Sequence, residues 1–297
     1  MKIRIYFFFV ITLIFLWQLI LILLTVNDLL YGIDLRSFDK EDLNETNRKI
    51  PEIIHQMWKT TDLSTYPINN SHNKWKLFYP NYKFILWTDK QIEELILKND
   101  YKYLYSIYKS YFYSIQRADL ARLIILHSYG GIYADLDVYP QDTNLDKLIL
   151  KNASFIIGRS STDICLVNHF LISEKHSNIL NSILRKIFQK SFFNQIYILP
   201  YLEVFSTGSI FLTNIIRNSI YFKSLKENSK LIILSHDQLS NYIFHDAGRS
   251  WHLFDGYLIN QIDAHPKIFF SFLTIFILFI FCSIRFQKFC KIKYRFK

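Results

Sequence analysis

Two aspartates separated by one residue, Asp135 and Asp137, follow a short apolar run, Ile132-Tyr133-Ala134. Side chains two apart on an extended chain share a face and stand about 6.8 Å apart. A slight turn at the end of the run brings both carboxylates within reach of one metal ion. Oxygen ligands select hard cations such as Mn²⁺ or Mg²⁺. Two carboxylates leave most of an octahedral shell open for water and for a ligand such as a diphosphate. That suits a reaction in which a nucleoside diphosphate departs, because the cation neutralises the developing charge. By itself D-x-D also fits two solvated turn acids. What precedes it narrows the reading: a helix over residues 114–128, the pair Gly130-Gly131, then the strand that carries the acids.

Within that helix Ile115, Ala118, Arg122 and Ile125 recur on one face. Arg122 thus interrupts an apolar stripe, with Asp119 beside it three residues earlier. The two form either a buried structural ion pair or a cleft-facing pair in which the arginine holds a phosphate or a sugar hydroxyl. His55 and Gln56, at the end of another apolar run, fit a satisfied polar pair as well as a nucleotide contact. His127 reads as structural.

The elements that must position these groups alternate. Strands are expected over 53–58, 83–87, 154–158 and 231–234, and helices over 90–98, with Thr88 or Asp89 as its cap, and 178–189. Alternation of this kind predicts an α/β layer fold. Ligands of such folds bind at the carboxyl ends of strands, where Asp135 and Asp137 stand.

Both ends of the chain are apolar. Residues 5–26 carry no charge and are long enough to span a bilayer, which predicts a retained anchor over a signal peptide. Residues 268–284 are also uncharged, at the short limit for a span. Lys2 and Arg4 precede the first run, and Arg285, Lys288, Lys291, Lys293, Arg295 and Lys297 follow the second, with no acid among them. The positive-inside rule puts both termini in the cytosol and the middle in the lumen. Of 35 basic residues eight lie in these tails, leaving 27 against 25 acids. The net charge of +10 is mainly a topology signal, and no nucleic-acid partner is expected. Three cysteines, only Cys165 outside the terminal segment, make no disulfide framework. Sequons at Asn44, Asn69 and Asn152 agree with luminal exposure.

Three segments, IPEIIHQMWK, NYKFILWTD and RADLARLIILHSYGGIYADLDVYP, resemble glycosyltransferase family 32, which carries a DXD sugar-binding region. Residues 244–255, FHDAGRSWHLFD, and the second apolar run are similar to the catalytic subunits that mannosylate inositol phosphoceramide. The resemblance implies a GT-A fold, a Rossmann-like α/β glycosyltransferase domain, with a nucleotide-sugar donor and retention of anomeric configuration. Carried over by residue, Asp135 would contact donor sugar or ribose and Asp137 the metal. Asp119 and Arg122 match the Asp and Arg that contact the donor sugar. Trp58, Tyr133 and Asn168 match donor-binding positions. His245 would touch metal or phosphate, Trp251 would cover the leaving diphosphate, and Ser250 would bind the donor. Two departures stand out: Thr207-Gly208-Ser209 where the family has T-G-P, and Arg249 inside the late G-S-S-W element.

The expected layout is a cytosolic tip and anchor over 1–26, a luminal stem over 27–49, a GT-A catalytic domain over 50–266, a C-terminal transmembrane segment over 267–285 and a basic tail over 286–297. The expected activity is metal-dependent transfer of mannose from GDP-mannose to inositol phosphoceramide or a related glycosphingolipid. A Golgi membrane is the expected site, with the endoplasmic reticulum as alternative, and the resemblance adds a small regulatory membrane subunit as a candidate partner. Two other readings stay open: a hexosyltransferase acting on N-glycans or proteins, and a catalytically silent binding or scaffolding subunit.

Overall fold

The computed structural model describes residues 50–246 apart from 67–68, 99, 143–144, 150–152, 162–164, 195–206 and 222–230, together with Thr12, Leu13, Leu16 and Ile20. All belong to the first of the two units into which the chain divides, Met1–Trp251. The rest of the predicted anchor, the stem, the second apolar run and the basic tail lie outside the described residues. Among the described residues no helix is long and apolar enough to cross a membrane.

In chain order the elements are β1 (Ile53–Met57), α1 (His72–Phe78), β2 (Lys83–Trp87), α2 (Asp89–Ile96), α3 (Tyr105–Ser110), α4 (Ser114–Tyr129), β3 (Gly131–Ala134), β4 (Val138–Pro140), α5 (Asp146–Ile149), β5 (Phe155–Arg159), β6 (Leu166–Ser173), α6 (Asn178–Asn194), α7 (Ser209–Tyr221), β7 (Leu231–Leu234), α8 (His236–Ser240) and β8 (Ile243–His245). Six strands form one sheet in the order β2-β1-β3-β6-β5-β7, while β4 and β8 pair separately. The expected α/β layering is present, but the sheet is mixed. β6 runs antiparallel to both β3 and β5. The residue pattern of 166–173 predicts no strand by itself. The β5–β6 connection, residues 160–165, is too short for a helical crossover, so the two strands must run in opposite directions.

Local chemistry explains the main boundaries. Thr88, not Asp89, caps α2: Gln91 N donates to the Thr88 hydroxyl at 3.4 Å, and Thr88 N donates to Gln91 Oε1 at 2.9 Å. α4 ends at Gly130, with φ of 67°, and Gly131 follows at 100°. A Cβ on Gly130 would stand 2.6 Å from Lys175 N, and one on Gly131 2.5 Å from Ile53 O. Only glycines let the chain reverse here while β3 presses against β1.

Successive side chains of β3 then part. Ile132 and Ala134 join a core with Trp75 of α1 and Phe170 of β6, and Tyr133 joins the opposite core with Leu120 and Ile124 of α4. The sheet therefore has a core on each face. α4 is covered on nearly every side, with Gln116, Asp119 and Arg122 buried beside Leu123 to Leu126. The one-sided stripe read from the sequence understates that burial, because α2, α3 and α6 pack against the helix in addition to β3 and β6.

Candidate active site

β3 stops at Ala134, but Asp135 N still donates to His169 O of β6 at 2.9 Å. Val138 N then donates to Asp135 O at 3.0 Å. This tight turn gathers Asp135 and Asp137 at the carboxyl end of β3. Asp135 is held on both sides: its Oδ1 accepts from the Tyr133 hydroxyl at 2.6 Å, and its Oδ2 from Arg122 Nη1 at 3.3 Å. Burial pushes the Asp135 carboxyl up to about 6, against the opposing pull of Arg122 and with the Asp137 charge adding to the rise.

Behind this carboxylate lies a buried polar network. Arg122 Nη2 meets Asp119 Oδ1 at 3.1 Å, and Arg122 Nη1 donates to the Asn168 carbonyl at 2.7 Å. Asn168 Nδ2 donates to Asp119 Oδ1 at 2.8 Å, and the Thr207 hydroxyl to Asp119 Oδ2 at 2.9 Å. The Ser209 hydroxyl donates to Asn168 Oδ1 at 3.2 Å. Asp119 and Arg122 are each 2% exposed. The two readings of this pair merge. It is a buried ion pair, yet the Arg122 guanidinium still borders the cleft, above the Tyr133 ring at 5.3 Å. Asp119 stands one layer further back.

Asp137 opens to the same cleft. Its Oδ2 is 3.6 Å from His245 Nε2. β4 and β8 create that approach, since Val138 pairs with His245 and Asp246 N donates to Asp137 O at 2.9 Å. The His245 ring stacks on His169 with centroids 3.9 Å apart. Burial holds His169 well below the usual imidazole range.

The cleft, about 220 Å³, follows the carboxyl ends of β2, β1 and β3, three neighbouring parallel strands. Asp89 follows β2, Trp58 follows β1, and Asp135 follows β3; Tyr66 and Arg117 complete the wall. Trp58 is fixed by its Nε1–H to the Thr65 hydroxyl at 2.8 Å and by edge contact with Tyr66 at 4.8 Å.

The structure thus brings together Asp119, Arg122, Tyr133, Asp135, Asp137, Asn168 and His245, with Trp58 across the cleft. Ser250 and Trp251, with Arg249, lie outside the described residues. His55 and Gln56 take the structural alternative. Trp87 Nε1 donates to His55 Nδ1 at 3.1 Å, so Nε2–H donates to Gly130 O at 2.8 Å. Gln56 Nε2 donates to Ser71 Oγ at 3.0 Å. His127 pairs with the Tyr101 hydroxyl at 2.7 Å. Tyr66, Asp89, Arg117, His169 and Ser209 join the site without having been expected in it. Asp89 is visible in the sequence only as a candidate cap and Ser209 only as the departure from T-G-P, and no local pattern marks the others.

The donor set can be tested against a divalent cation. Among the described residues no group of three or more His, Cys, Asp and Glu is arranged to hold a metal ion. A closed structural site is therefore not formed among them. Asp137, with Asp135 beside it, fits a hard cation whose shell is completed by water and a diphosphate. Tyr133 and Arg122 already hold Asp135, which leaves Asp137 as the principal ligand.

Comparison with known proteins identifies the family. The profile described as "Glycosyltransferase sugar-binding region containing DXD motif" matches residues 67–155. The chain is 31% identical over 245 residues to inositol phosphoceramide mannosyltransferase 1 of Schizosaccharomyces pombe, covering 79% of this chain and 73% of that protein. It is 32% identical over 251 residues to inositol phosphoceramide mannosyltransferase 3 of the same yeast, covering 82% and 68%. Among solved structures, the PaToxG glycosyltransferase is 15% identical with a TM-score of 0.42, covering 71% of this chain and 79% of that one. By its motif and by the extent of these relationships, the chain belongs to the DXD-containing glycosyltransferase family 32.

Proposed function

We propose that this chain is a retaining mannosyltransferase that moves mannose from GDP-mannose to the inositol of inositol phosphoceramide or a related glycosphingolipid. The observation that carries the reading is the placement of Asp137, Asp135 and Arg122 on one cleft at the carboxyl end of β3, in a relative of inositol phosphoceramide mannosyltransferases. A divalent cation, Mn²⁺ or Mg²⁺, held by Asp137 would neutralise charge on the departing diphosphate. Arg122 is oriented before any ligand arrives, so its field needs no reorganisation during the reaction. Tyr133 and Arg122 aim the Asp135 carboxylate at a donor sugar or ribose hydroxyl. Trp58 offers a ring wall beside the base. Guanine presents N1–H and N2–H side by side, a pair that one carboxylate accepts. Asp89 in the cleft wall supports guanosine on that ground. Attack from the face that the diphosphate leaves retains configuration, with the leaving phosphate taking the acceptor proton.

The same proposal sets the domain as GT-A and places it on the luminal side of a Golgi membrane, or of the endoplasmic reticulum. Acid-free basic tails at both ends support that orientation. A small regulatory membrane subunit is a candidate partner.

Full-length protein in detergent, given GDP-mannose, Mn²⁺ and inositol phosphoceramide, tests the reading. The expected product is the mannosylated lipid with the donor's anomeric configuration. No cation-dependent release of GDP or UDP from any sugar donor would sink the enzyme reading. Transfer to N-glycans or proteins, with the lipid untouched, would replace the acceptor.

A further inference from the structure

A second, larger hollow of about 860 Å³ lies beside the cleft. One wall comes from α1 and the segment before it, the other from β4 and β8 with their flanking residues. The two walls are joined: the Tyr139 hydroxyl donates to Asn69 O at 2.8 Å, and Trp75 Nε1 of α1 donates to Val138 O at 2.8 Å. The lining chemistry is specific. Asn69, Asn70, Asn73 and Gln141 present carboxamides. Tyr139 and Phe244 present rings, Phe244 being 54% exposed. Lys74 sets its ammonium 5.0 Å above the Tyr139 ring.

Tyr66 belongs to both spaces. In the cleft it lines the wall with Asp135 and Asp137, and in the groove it lines the wall with Asp246. Asp246 lines the groove while its backbone N–H is bonded to Asp137 O. A ligand in the groove therefore meets the cleft at Tyr66, alongside Asp137.

We infer that this groove is the acceptor seat, and that it takes a cyclic polyol joined through a phosphodiester. The inference rests on the mannosyl-transfer reading above and extends it to the second substrate. A carboxamide donates and accepts at once, as neighbouring hydroxyls of a polyol require. Rings cover its C–H face. The Lys74 ammonium is a point charge suited to the phosphodiester. In the transfer step the polyol oxygen bonds to the anomeric carbon, the bond from that carbon to the diphosphate breaks, and the hydroxyl proton passes to the leaving phosphate.

The test uses the full chain in detergent micelles with GDP-mannose and Mn²⁺, varying inositol phosphoceramide, soluble inositol 1-phosphate or free inositol as acceptor. Lys74 and Asn73 are exposed, so their substitution spares the core. Lys74→Ala should raise the KM for both phosphorylated acceptors about tenfold, as loss of a charge-assisted contact does. It should leave the KM for free inositol unmoved, and Lys74→Arg should restore most of the loss. Asn73→Ala should raise the KM for all three. Saturation by inositol 1-phosphate assigns the seat to the headgroup alone, whereas saturation by the lipid only assigns it to the headgroup as presented in a micelle. Transfer that continues with every acceptor KM unmoved by these variants overturns the groove and leaves the mannosyl-transfer reading standing. Absence of both transfer and donor hydrolysis removes that reading and this one with it. Glycopeptide mass spectrometry gives a second check: Asn69 is a sequon on the groove wall and should be bare, since a glycan there would fill the seat.

Discussion

The Tyr133 hydroxyl and Asp135 Oδ1 stand 2.6 Å apart, one residue inside the end of β3 and the other just past it. The tyrosine ring is fully buried, so this bond fixes where the Asp135 carboxylate points before a donor arrives. Tyr133→Phe keeps the ring and removes the bond. Expected are a kcat lower by about tenfold and a stability loss of only about 1 kcal/mol. Steady-state kinetics beside a denaturant titration separate the two, and an unchanged kcat would refute the positioning role.

Arg122 is the shared partner of Asp119, Asp135 and the Asn168 carbonyl. Arg122→Ala leaves the buried Asp119 charge uncompensated. Destabilisation of roughly 3–5 kcal/mol is expected, read as a shift of the urea midpoint. Arg122→Lys keeps the charge but has no fork to reach three partners. It should retain more stability than the alanine variant and still lose about a hundredfold in kcat.

Asp137 is expected to dominate cation binding. Chelation of the wild type should abolish transfer, and Mn²⁺ should restore it. Asp137→Asn removes the charge that a hard cation requires, so its Mn²⁺ midpoint should rise more than about tenfold. Electron paramagnetic resonance of added Mn²⁺ measures this without turnover. Full activity of Asp137→Ala would end the metal assignment.

Base selection is expected to rest on Asp89. Inosine diphosphate lacks the guanine N2 amine, so the wild type should bind GDP about tenfold more tightly than IDP. Asp89→Asn should erase that preference, because an amide presents only one acceptor. Inhibition constants for GDP, IDP and UDP decide it. A preference that survives in the variant places the base elsewhere.

A pH effect on folding follows from His55. Its Nδ1 accepts from Trp87, so a proton added there would face an N–H donor. Burial lowers this imidazole from 6.5 to about 4, with the nearby Lys83 charge adding and the Gly130 carbonyl opposing. A depressed base favours the folded state most when neutral. Its contribution is therefore complete above about pH 6.5 and is lost as pH falls toward 4. The linkage amounts to roughly 3 kcal/mol. Thermal melts between pH 7 and 4 should show the decline, and His55→Gln should flatten it.

Much of the site is legible in the sequence. The helix, the glycine pair, the strand and the two acids follow one another within one stretch, and each is a local signal. Helical period, positive φ and paired carboxylates all read out over a few residues. The Thr88 box is readable on the same terms. β6 is not, because Asn168 and His169 interrupt its apolar residues and break the period-two alternation, so the strand is defined by its partners, β3 and β5. Its Asn168 is placed by resemblance, while nothing in the residue pattern marks His169 beside it. Tyr66 leaves no trace either, since its importance arises from standing between two hollows.

The sequence by itself determined that an acid pair ends a strand after a glycine turn, and that an arginine sits where an apolar residue was due. Only the tertiary structure decided what that arginine does. A buried charge must find compensation, and the groups that satisfy Arg122 and Asp119 come from Asn168 and Thr207, 46 and 88 positions further along. No local pattern reports a partner at such separation. Once β6 and the residues just before α7 bring them in, the pair becomes the rigid backing of Asp135 and leaves Asp137 to face the ligand.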